Sequence, residues 1–434
     1  MSALTFAVRG AIASLGVAER ATLLERATST DDTIHDRTAH VISRVRREGD
    51  VALRAFALEF DHVRLDTLEV PRSEWRAALA SLDTPLRRAL ERATANIHAV
   101  HGAFRPIARE VTTPDGVLIG RRPDPLRSVG VYAPGGRATY PSSLLMGAVP
   151  ARVAGVEEVI VCSPPNPDGL PSRVLLAAAE LADADRVFAV GGAGAVAAMA
   201  FGTASVPRVD RIVGPGNAYV AEAKLQVAGV CSIDSPAGPS ELLIIADGTA
   251  DAAVVAREMI AQAEHDPLAS VVLVSTSQDL DERVGQSITR LAMGAPRFTI
   301  IRDALAARGA LLFAASIDEA VAFATSFAPE HALICCRDAE QVTSRLRSAG
   351  TIFVGSSSSV SFGDYMSGAN HVLPTGGLAR SYSGLSTLDF YRWTTTQRID
   401  RTAAAALAED AGMFADAEGL PGHAAAARQW KETD

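Results

Sequence analysis

The chain has 434 residues, of which 48% are hydrophobic and 21% charged, a composition typical of a folded globular protein and not of a disordered or fibrous one. Its 41 basic and 50 acidic residues leave a net charge of −9, which argues against nucleic acid as a partner. A chain of this length is expected to form two or three domains, or one core with extensions.

The first quarter of the chain, residues 1 to about 105, is predicted to be helical. Apolar residues recur there at helical spacing among many charges, as in "TDDTIHDRTAHVISRVRREGD". The pattern indicates an amphipathic helical layer. The opening residues "MSALTFAVRG" lack a basic segment followed by a long apolar one, so no secretory signal is predicted.

From about residue 127 the pattern changes to short apolar runs separated by glycine turns and helical stretches. A first series of predicted strands lies in "SVGVYAPGG", "EEVIVCSPP", "RVFAVGG" and "VDRIVGPGN". A second series lies in "ELLIIAD", "ASVVLVS", "FTIIR", "ALLFAAS", "HALICC" and "AGTIFVG". Strands that alternate with helices are typical of parallel sheets, so we expect two α/β units, followed by helix from about 386 to 434.

One uncharged run, residues 187–207, is long enough to cross a bilayer. Because Ala and Gly dominate it, we interpret it as a buried strand, turn and helix, and no membrane partner is predicted. The cysteines Cys162, Cys231, Cys335 and Cys336 form no C-x-x-C pair. In a chain of this length they are expected to be reduced thiols of a cytoplasmic protein.

Two glycine turns have the small residues that let a backbone approach a diphosphate. They are "VGGAGAVAA" (190–198) and "VGPGNAYVAEAK" (213–224), and each follows a predicted strand. Neither completes the G-x-G-x-x-G pattern. For each turn two interpretations therefore remain, a nucleotide contact and an ordinary tight turn.

Four histidines lie in compact polar clusters: His265 in "AQAEHDP", His331 in "FAPEHALI", His371 in "FGDYMSGANHVLPT" and His423 in "AEGLPGHAA". A divalent metal needs several convergent nitrogen and oxygen donors. Gln262 and His265, three residues apart, share one face of a predicted helix. With Asp364 as a third ligand and His423 as a fourth, the donors suit Zn²⁺ or a neighbour such as Mn²⁺ or Co²⁺.

The dipeptide Glu330–His331 precedes an apolar strand in "APEHALI". Such a pair can serve as general acid and base at a sheet edge. The alternative interpretation is a polar strand entry without a catalytic role.

Seven segments closely resemble the histidinol dehydrogenase family, and the match to the family runs in order from about residue 30 to 430. They are "VGVYAPGGRATYPSSLLMGAVPARVAGV", "VDRIVGPGNAYVAEAK", "SPAGPSELLIIAD", "AQAEHDPLA", "APEHALI", "GDYMSGANHVLPTGG" and "AEGLPGHAAA". The resemblance implies two successive NAD-dependent oxidations that convert L-histidinol through a bound aldehyde, L-histidinal, to L-histidine in histidine biosynthesis. It also implies one zinc ion per subunit.

The resemblance implies roles for individual residues. The zinc ligands would be Gln262, His265, Asp364 and His423, with the metal holding the imidazole and amino nitrogens of the substrate. His331 would take the proton of the substrate hydroxyl, and Glu330 would activate water for the second oxidation. Substrate contacts are expected from the four metal ligands and from Ser240, His331, His371 and Glu418.

For NAD, the family uses a tyrosine, a glutamine and an asparagine, and the first and last match Tyr132 and Asn217. Where the family commonly has the glutamine, this chain has Gly194. That departure leaves open a shifted cofactor pose or a paralogous enzyme.

The resemblance implies an α/β fold of two incomplete Rossmann-like domains, one inserted in the other, with helical extensions at both ends. Its expected parts are an N-terminal helical arm (1–25), a discontinuous first domain with a helical layer (26–131 and 240–385), an inserted second domain (132–239) and a C-terminal tail (386–434). Family members are intertwined homodimers. Glu418 and His423 would therefore complete the site of the other subunit, and each site would be composite.

Three alternatives remain at this point. The first is a paralogous zinc- and NAD-dependent dehydrogenase that oxidises another small diol, such as a sulfopropanediol. The spacing of Glu418 and His423 favours an imidazole-bearing substrate over it. The second is a zinc hydrolase, which would turn over without NAD. The third is a zinc-stabilised dimer without activity.

Overall fold

The computed structural model describes residues 4–26, 32–135 and 139–431, and these form an α/β fold with two parallel sheets and one small antiparallel sheet. The strands are β1 (Val8–Ala11), β2 (Arg109–Thr112), β3 (Leu118–Pro125), β4 (Ser128–Tyr132), β5 (Glu158–Ser163), β6 (Arg186–Ala189), β7 (Arg211–Val213), β8 (Ser232–Ile233), β9 (Glu241–Ala246), β10 (Ser270–Ser275), β11 (Gly309–Phe313), β12 (His331–Cys335), β13 (Thr351–Val354) and β14 (Tyr391–Arg398).

The helices alternate with these strands through most of the chain. They are α1 (Val17–Leu24), α2 (Asp32–Glu48), α3 (Asp50–Phe60), α4 (Arg72–Ser81), α5 (Thr84–Ala103), α6 (Pro141–Ala154), α7 (Arg173–Leu181), α8 (Gly192–Phe201), α9 (Ala218–Val227), α10 (Ala252–Ala263), α11 (Gln278–Ala292), α12 (Phe298–Arg308), α13 (Ile317–Phe327), α14 (Ala339–Arg345), α15 (Val360–Tyr365), α16 (Arg401–Ala417) and α17 (Pro421–Arg428).

The six-stranded sheet has the order β1-β11-β10-β9-β12-β13, and every pair in it is parallel. Residues of α10, α11 and α12 form the core on one face, and residues of α1, α13 and α14 form the core on the other. Because both faces are covered, β9 and β10 are buried along their whole length. Such strands have nearly continuous apolar sequences, which is why they were predictable.

The five-stranded sheet has the order β6-β5-β4-β7-β8 and is also parallel. Its strands fall in the chain between β1 and β9, the first two strands of the six-stranded sheet in chain order. Helices α6 to α9 cover this sheet, and residues of α2 to α5 belong to the same core. The predicted α/β class is confirmed.

Two of the predicted domain boundaries differ from the strand assignments. Residues 1–25 were predicted as a helical arm, but β1 pairs in parallel with β11 at the edge of the six-stranded sheet. The predicted boundary at residue 132 cuts the end of β4, all of which is in the five-stranded sheet. The helices of 26–131 were assigned to the first domain, but they pack on the five-stranded sheet.

Three elements were also predicted wrongly or missed. The run "FTIIR" was predicted as a strand but begins α12, since a short apolar run does not distinguish a buried strand from a buried helix. The segment 386–434 was predicted as helix, but its first part forms β14, which pairs antiparallel with β3. Strand β2 completes this third sheet, which no sequence pattern indicated.

The uncharged run 187–207 forms β6, a glycine turn and α8, as interpreted from its composition. Among the described residues, no helix combines the length and apolarity needed to span a bilayer.

His101, near the end of α5, gives a prediction for the pH dependence of stability. Its Nδ1 accepts the main-chain N–H of Thr387 at 3.2 Å, and burial lowers its pKa to about 4. Between the ordinary histidine pKa and pH 4 the unfolded chain therefore binds more protons at this position than the folded one. Folding stability is expected to fall across that window as the pH falls, with a slope from this residue of up to ~1.4 kcal/mol per pH unit.

The measurement is urea unfolding from pH 7 to pH 4. His101→Asn keeps an acceptor for Thr387 but cannot be protonated, so the loss of stability across this window should be shallower than in the wild type. His98→Asn, an exposed histidine on the same helix, should keep the wild-type slope. Equal slopes for wild type and His101→Asn would contradict the assignment.

Candidate active site

A tight helix-to-strand turn places Glu330 and His331. Helix α13 ends at Phe327, and Ala328 adopts a left-handed conformation (φ 50°) that caps the helix. Pro329 follows, and His331 is the first residue of β12. Since β12 lies between β9 and β13, the pair occupies the amino end of an interior strand and not an edge strand.

Both side chains are buried, each residue being 5% exposed. The start of β13 comes so close that a Cβ on Gly350 would lie 2.6 Å from the main-chain oxygen of Glu330. Glycine is therefore required at that position. The backbone around the pair is fixed on both sides.

The hydrogen bonds of His331 define its tautomer. Its Nδ1 lies 3.0 Å from the main-chain oxygen of Glu241, which can only accept, so Nδ1 carries the proton. The lone pair is then on Nε2, which lies 3.7 Å from Oδ1 of Asp364. Burial lowers the pKa of His331 to about 4. At neutral pH the ring is an uncharged base with a free acceptor nitrogen.

The Glu330 carboxyl lies beside this ring, with Oε2 at 3.5 Å from Nδ1 of His331. The same oxygen accepts the main-chain N–H of Glu241 at 2.7 Å. Burial raises the pKa of Glu330 well above its ordinary value, and the Glu241 and Asp364 carboxylates raise it further. A buried carboxyl group and an uncharged imidazole thus lie side by side, as a general acid–base pair would require.

Gln262 and His265 were predicted to share a helix face, but α10 ends at Ala263 and His265 lies beyond its cap. The two remain adjacent, because the main-chain N–H of His265 donates to the Gln262 oxygen at 3.3 Å. Nδ1 of His265 also lies 3.3 Å from that oxygen, which leaves Nε2 free, and the residue is exposed. The Gln262 amide is buried, and its Nε2 has no hydrogen-bond partner among the described residues.

Asp364 and His371 contact each other close to Gln262 and His265. Nδ1 of His371 donates to the main-chain oxygen of Asp364 at 2.9 Å, and Nε2 lies 3.1 Å from Oγ of Ser143 on α6. Burial lowers the pKa of His371 to about 4. Burial, together with the nearby Glu258, raises the pKa of Asp364 to about 7.

Of the remaining predicted site residues, Ser240 is next to Glu241 in the chain, whereas Glu418 and His423 are in the C-terminal tail. Ser240 is half-buried and immediately precedes β9. Glu418 and His423 are exposed near the junction of α16 and α17, and neither side chain has a hydrogen bond or ion pair among the described residues. One subunit thus brings together the predicted residues of the six-stranded unit but not those of the tail.

The predicted NAD residues lie at the carboxyl ends of the five-stranded sheet. Tyr132 ends β4, and its hydroxyl accepts the N–H of Gly192 at the start of α8, at 3.1 Å. Asn217 caps α9, with Oδ1 accepting two main-chain N–H groups. Gly194 is buried in α8, and a Cβ there would lie 3.4 Å from Leu53 of α3.

Three residues that hold this site were not predicted from the sequence. Glu241 contacts both Glu330 and His331 through its main chain. Arg26 pairs with Glu241 from 215 residues away. Glu258 accepts the N–H of Val360 at the start of α15, which carries Asp364. Two sequence features could have pointed to the glutamates: Glu241 opens the apolar strand "ELLIIA", and Glu258 lies one helical turn before Gln262. No local pattern could indicate Arg26.

Two parallel sheets covered by helices define an α/β protein, and its candidate site holds a buried carboxyl group beside an uncharged imidazole. The histidinol dehydrogenase family model matches residues 24–430. The chain therefore belongs to the histidinol dehydrogenase family, and it is an oxidoreductase. Family membership implies the oxidation of histidinol to histidine in histidine biosynthesis.

Individual relatives agree with this assignment over nearly the whole chain. The histidinol dehydrogenase of Methanosarcina mazei is 46% identical over 417 residues, covering 95% of each chain. That of Natronomonas pharaonis is 49% identical, covering 95% of this chain and 97% of its own. The crystal structure of histidinol dehydrogenase from Elizabethkingia anophelis has a TM-score of 0.94 at 32% identity, covering 99% of this chain and 98% of that one.

Proposed function

We propose that this chain catalyses the zinc- and NAD-dependent four-electron oxidation of L-histidinol through L-histidinal to L-histidine. The observation that carries the proposal is the state of His331. It is buried and neutral, with Nδ1–H fixed on the Glu241 carbonyl and the Nε2 lone pair free beside Asp364. This is the arrangement that a general base needs to remove a proton from an alcohol.

In the first oxidation, Nε2 of His331 would accept the hydroxyl proton of histidinol, and NAD, when bound, would take the hydride from the carbon that bears this hydroxyl. Because Nδ1–H is held by a main-chain carbonyl, the ring cannot rotate or change tautomer easily. The histidinium that forms stays bonded to Glu241 through Nδ1 and lies near the carboxyl groups of Glu330 and Asp364.

The second oxidation requires water to add to the aldehyde before hydride leaves. Glu330 is the candidate base for that water. Its raised pKa makes it, once ionised, a stronger proton acceptor than an ordinary carboxylate, and its bond from Glu241 leaves Oε1 free. The two proton transfers of the reaction would thus use two separate bases.

The donors for zinc fit that metal. They are the Gln262 amide, Nε2 of His265 and the Asp364 carboxylate, with His423 of the partner subunit as the fourth. Asp364 lies near a second carboxylate, that of Glu258, and a bound cation would offset the repulsion between the two. Among the described residues of one chain, no three His, Cys, Asp or Glu side chains form a metal-holding group. When bound, zinc would orient the imidazole and amino nitrogens of the substrate.

For NAD, the support is the position of Tyr132 and Asn217. The five-stranded sheet reverses its strand order between β4 and β7, and dinucleotides bind outside the carboxyl ends of strands at such a reversal. The N-termini of α8 and α9 lie there and favour an anion. Burial raises the pKa of Tyr132 to about 12, so its hydroxyl keeps a proton to donate. Gly194 would contribute backbone only.

The site is proposed to be completed across a homodimer. Substrate contacts would come from Ser240 and His371 of one subunit and from Glu418 of the partner subunit. In support, the tail exposes large apolar side chains that a monomer leaves in water: Met413 and Phe414 on α16, Leu420 just before α17 and Trp430 just after it.

A cytoplasmic location is proposed on separate grounds. All four cysteines are free thiols, and three of them are buried. Reduced thiols are typical of the cytoplasm.

Steady-state assays of the zinc-loaded enzyme with NAD test the substrate assignment. L-histidinol should be oxidised with a kcat/KM at least about 100-fold above that for dihydroxypropane sulfonate, because an imidazole-binding site left unfilled discriminates strongly. NADH formation from the sulfonate alone would contradict the proposal. Turnover of histidinol derivatives without NAD would indicate a hydrolase instead.

A further inference from the structure

Glu241 contacts both members of the acid–base pair through its main chain. Its N–H donates to Oε2 of Glu330 at 2.7 Å, and its carbonyl accepts from Nδ1 of His331 at 3.0 Å. The peptide groups on either side of one Cα therefore hold both candidate bases. Any shift of Glu241 moves the carboxyl and the imidazole together.

The side chain of Glu241 is itself fully engaged. Its carboxylate accepts from Nε of Arg26 at 2.8 Å and from Nη2 at 3.2 Å. It also accepts the main-chain N–H groups of Gly376 at 2.9 Å and Glu330 at 3.4 Å. The carboxylate thus links the start of β9, the start of β12 and the loop that follows His371.

Arg26 is held as tightly as its partner. Nη1 donates to the Leu23 carbonyl at 2.6 Å, and Nη2 donates to the Phe327 carbonyl at 2.7 Å. The guanidinium lies over the Phe327 ring, with Cζ at 3.4 Å from the ring centre. The side chains of Arg26 and Glu241 are only 1% and 2% exposed. A buried ion pair with every group bonded this well is a rigid element of the core.

We propose that Arg26 and Glu241 act as a positioning pair that fixes Glu330 and His331 for catalysis, so that the N-terminal segment contributes to turnover without touching the substrate. The inference rests on the proposed roles of Glu330 and His331. Arg26 supplies the positive charge that pairs with the Glu241 carboxylate and holds it in place beside Glu330. Without it, a buried and uncompensated carboxylate would move toward water or rearrange its bonds.

The test compares Arg26→Gln and Arg26→Lys with the wild-type zinc-loaded enzyme. Misplacement of reacting groups by about 1 Å can cost ~100-fold in rate, so Arg26→Gln should lower kcat of both oxidations by 10- to 100-fold. The KM for histidinol should stay within about threefold and the zinc content should be unchanged. Arg26→Lys keeps the positive charge but not the bidentate contact with Glu241, so its kcat should lie between those of Arg26→Gln and the wild type.

Arg20→Gln is the matched control. Arg20 lies in the same segment and donates to the carbonyls of Leu15 and Ile12, but it does not contact Glu241. It should lower the melting temperature without lowering kcat. If Arg26→Gln, folded and zinc-loaded, behaves like Arg20→Gln, the pair is merely structural and the inference is wrong.

Glu241→Gln provides a second route if Arg26→Gln does not fold. It keeps the main-chain bonds but removes the charge, and it should lower kcat with the same small effect on KM. The double variant should lose no more than the worse single variant, because the two side chains act as one unit. Additive losses of kcat would show that Arg26 and Glu241 act independently, and the inference would be wrong.

The reference variants Glu330→Gln and His331→Asn separate this inference from the proposed function. If they lose activity while Arg26→Gln and Glu241→Gln keep the wild-type kcat, only the positioning pair fails. If Glu330→Gln and His331→Asn keep both oxidations, the proposed function fails first.

Discussion

Replacing Glu330 with glutamine is expected to stop the second oxidation while leaving most of the first. Glutamine has the same size and its oxygen can still accept the main-chain N–H of Glu241, so the local packing is kept. It cannot take a proton from water. Loss of a general base typically costs 10²- to 10⁴-fold in rate, and we expect a loss of that order for the aldehyde step. The first step, which uses His331, should fall by less than about tenfold.

The measurement is NADH formed per histidinol in the presence of an aldehyde trap such as semicarbazide. Glu330→Gln should give about one NADH and the trapped aldehyde. Glu282→Gln, the same change at an exposed position on α11, should behave as the wild type. Equal loss of both oxidations in Glu330→Gln would show that the carboxyl serves the first proton transfer as well, contrary to the assignment.

Replacing His265 with alanine is expected to abolish zinc retention without unfolding the chain. The residue is exposed and lies beyond the end of α10, so no core packing depends on its ring. Loss of a direct ligand weakens metal binding by more than the 10- to 100-fold typical of outer-shell partners. Zinc content after dialysis should fall from about one per subunit to less than about a tenth, and activity should fall with it.

Metal analysis and circular dichroism test this prediction without relying on activity. His40→Ala, which removes an exposed histidine from α2, should keep a full zinc content. A His265→Ala protein that is folded and still holds one zinc per subunit would remove His265 from the proposed ligands.

Much of the fold was predictable because both parallel sheets are covered on two faces. Their strands then consist of apolar residues, as in "ELLIIA" and "SVVLVS", and glycine turns mark their ends. Strands β2 and β14, "REVT" and "YRWTTTQR", lie in an antiparallel sheet with largely exposed or half-buried residues. Since a polar sequence without an apolar face gives no periodic signal, this sheet could not be found.

The sequence indicated candidate site residues only where they are close together in the chain or match the family. Glu330–His331 and Gln262 with His265 are local motifs that the structure brings near Asp364 and His371. The contacts of Glu241 with the Glu330 carboxyl and the His331 ring could not be anticipated, because they are made by its main-chain atoms. Arg26 lies 215 residues from its partner, and only the fold brings β9 and the N-terminal segment together.

The most direct test of the central claim is the amount of NADH that the wild-type, zinc-loaded enzyme forms from a limiting amount of L-histidinol with excess NAD. Two proton acceptors in one site predict two NADH per histidinol, with L-histidine as the product by chromatography. One NADH with release of the aldehyde, or none at all, would contradict the four-electron oxidation proposed for this site.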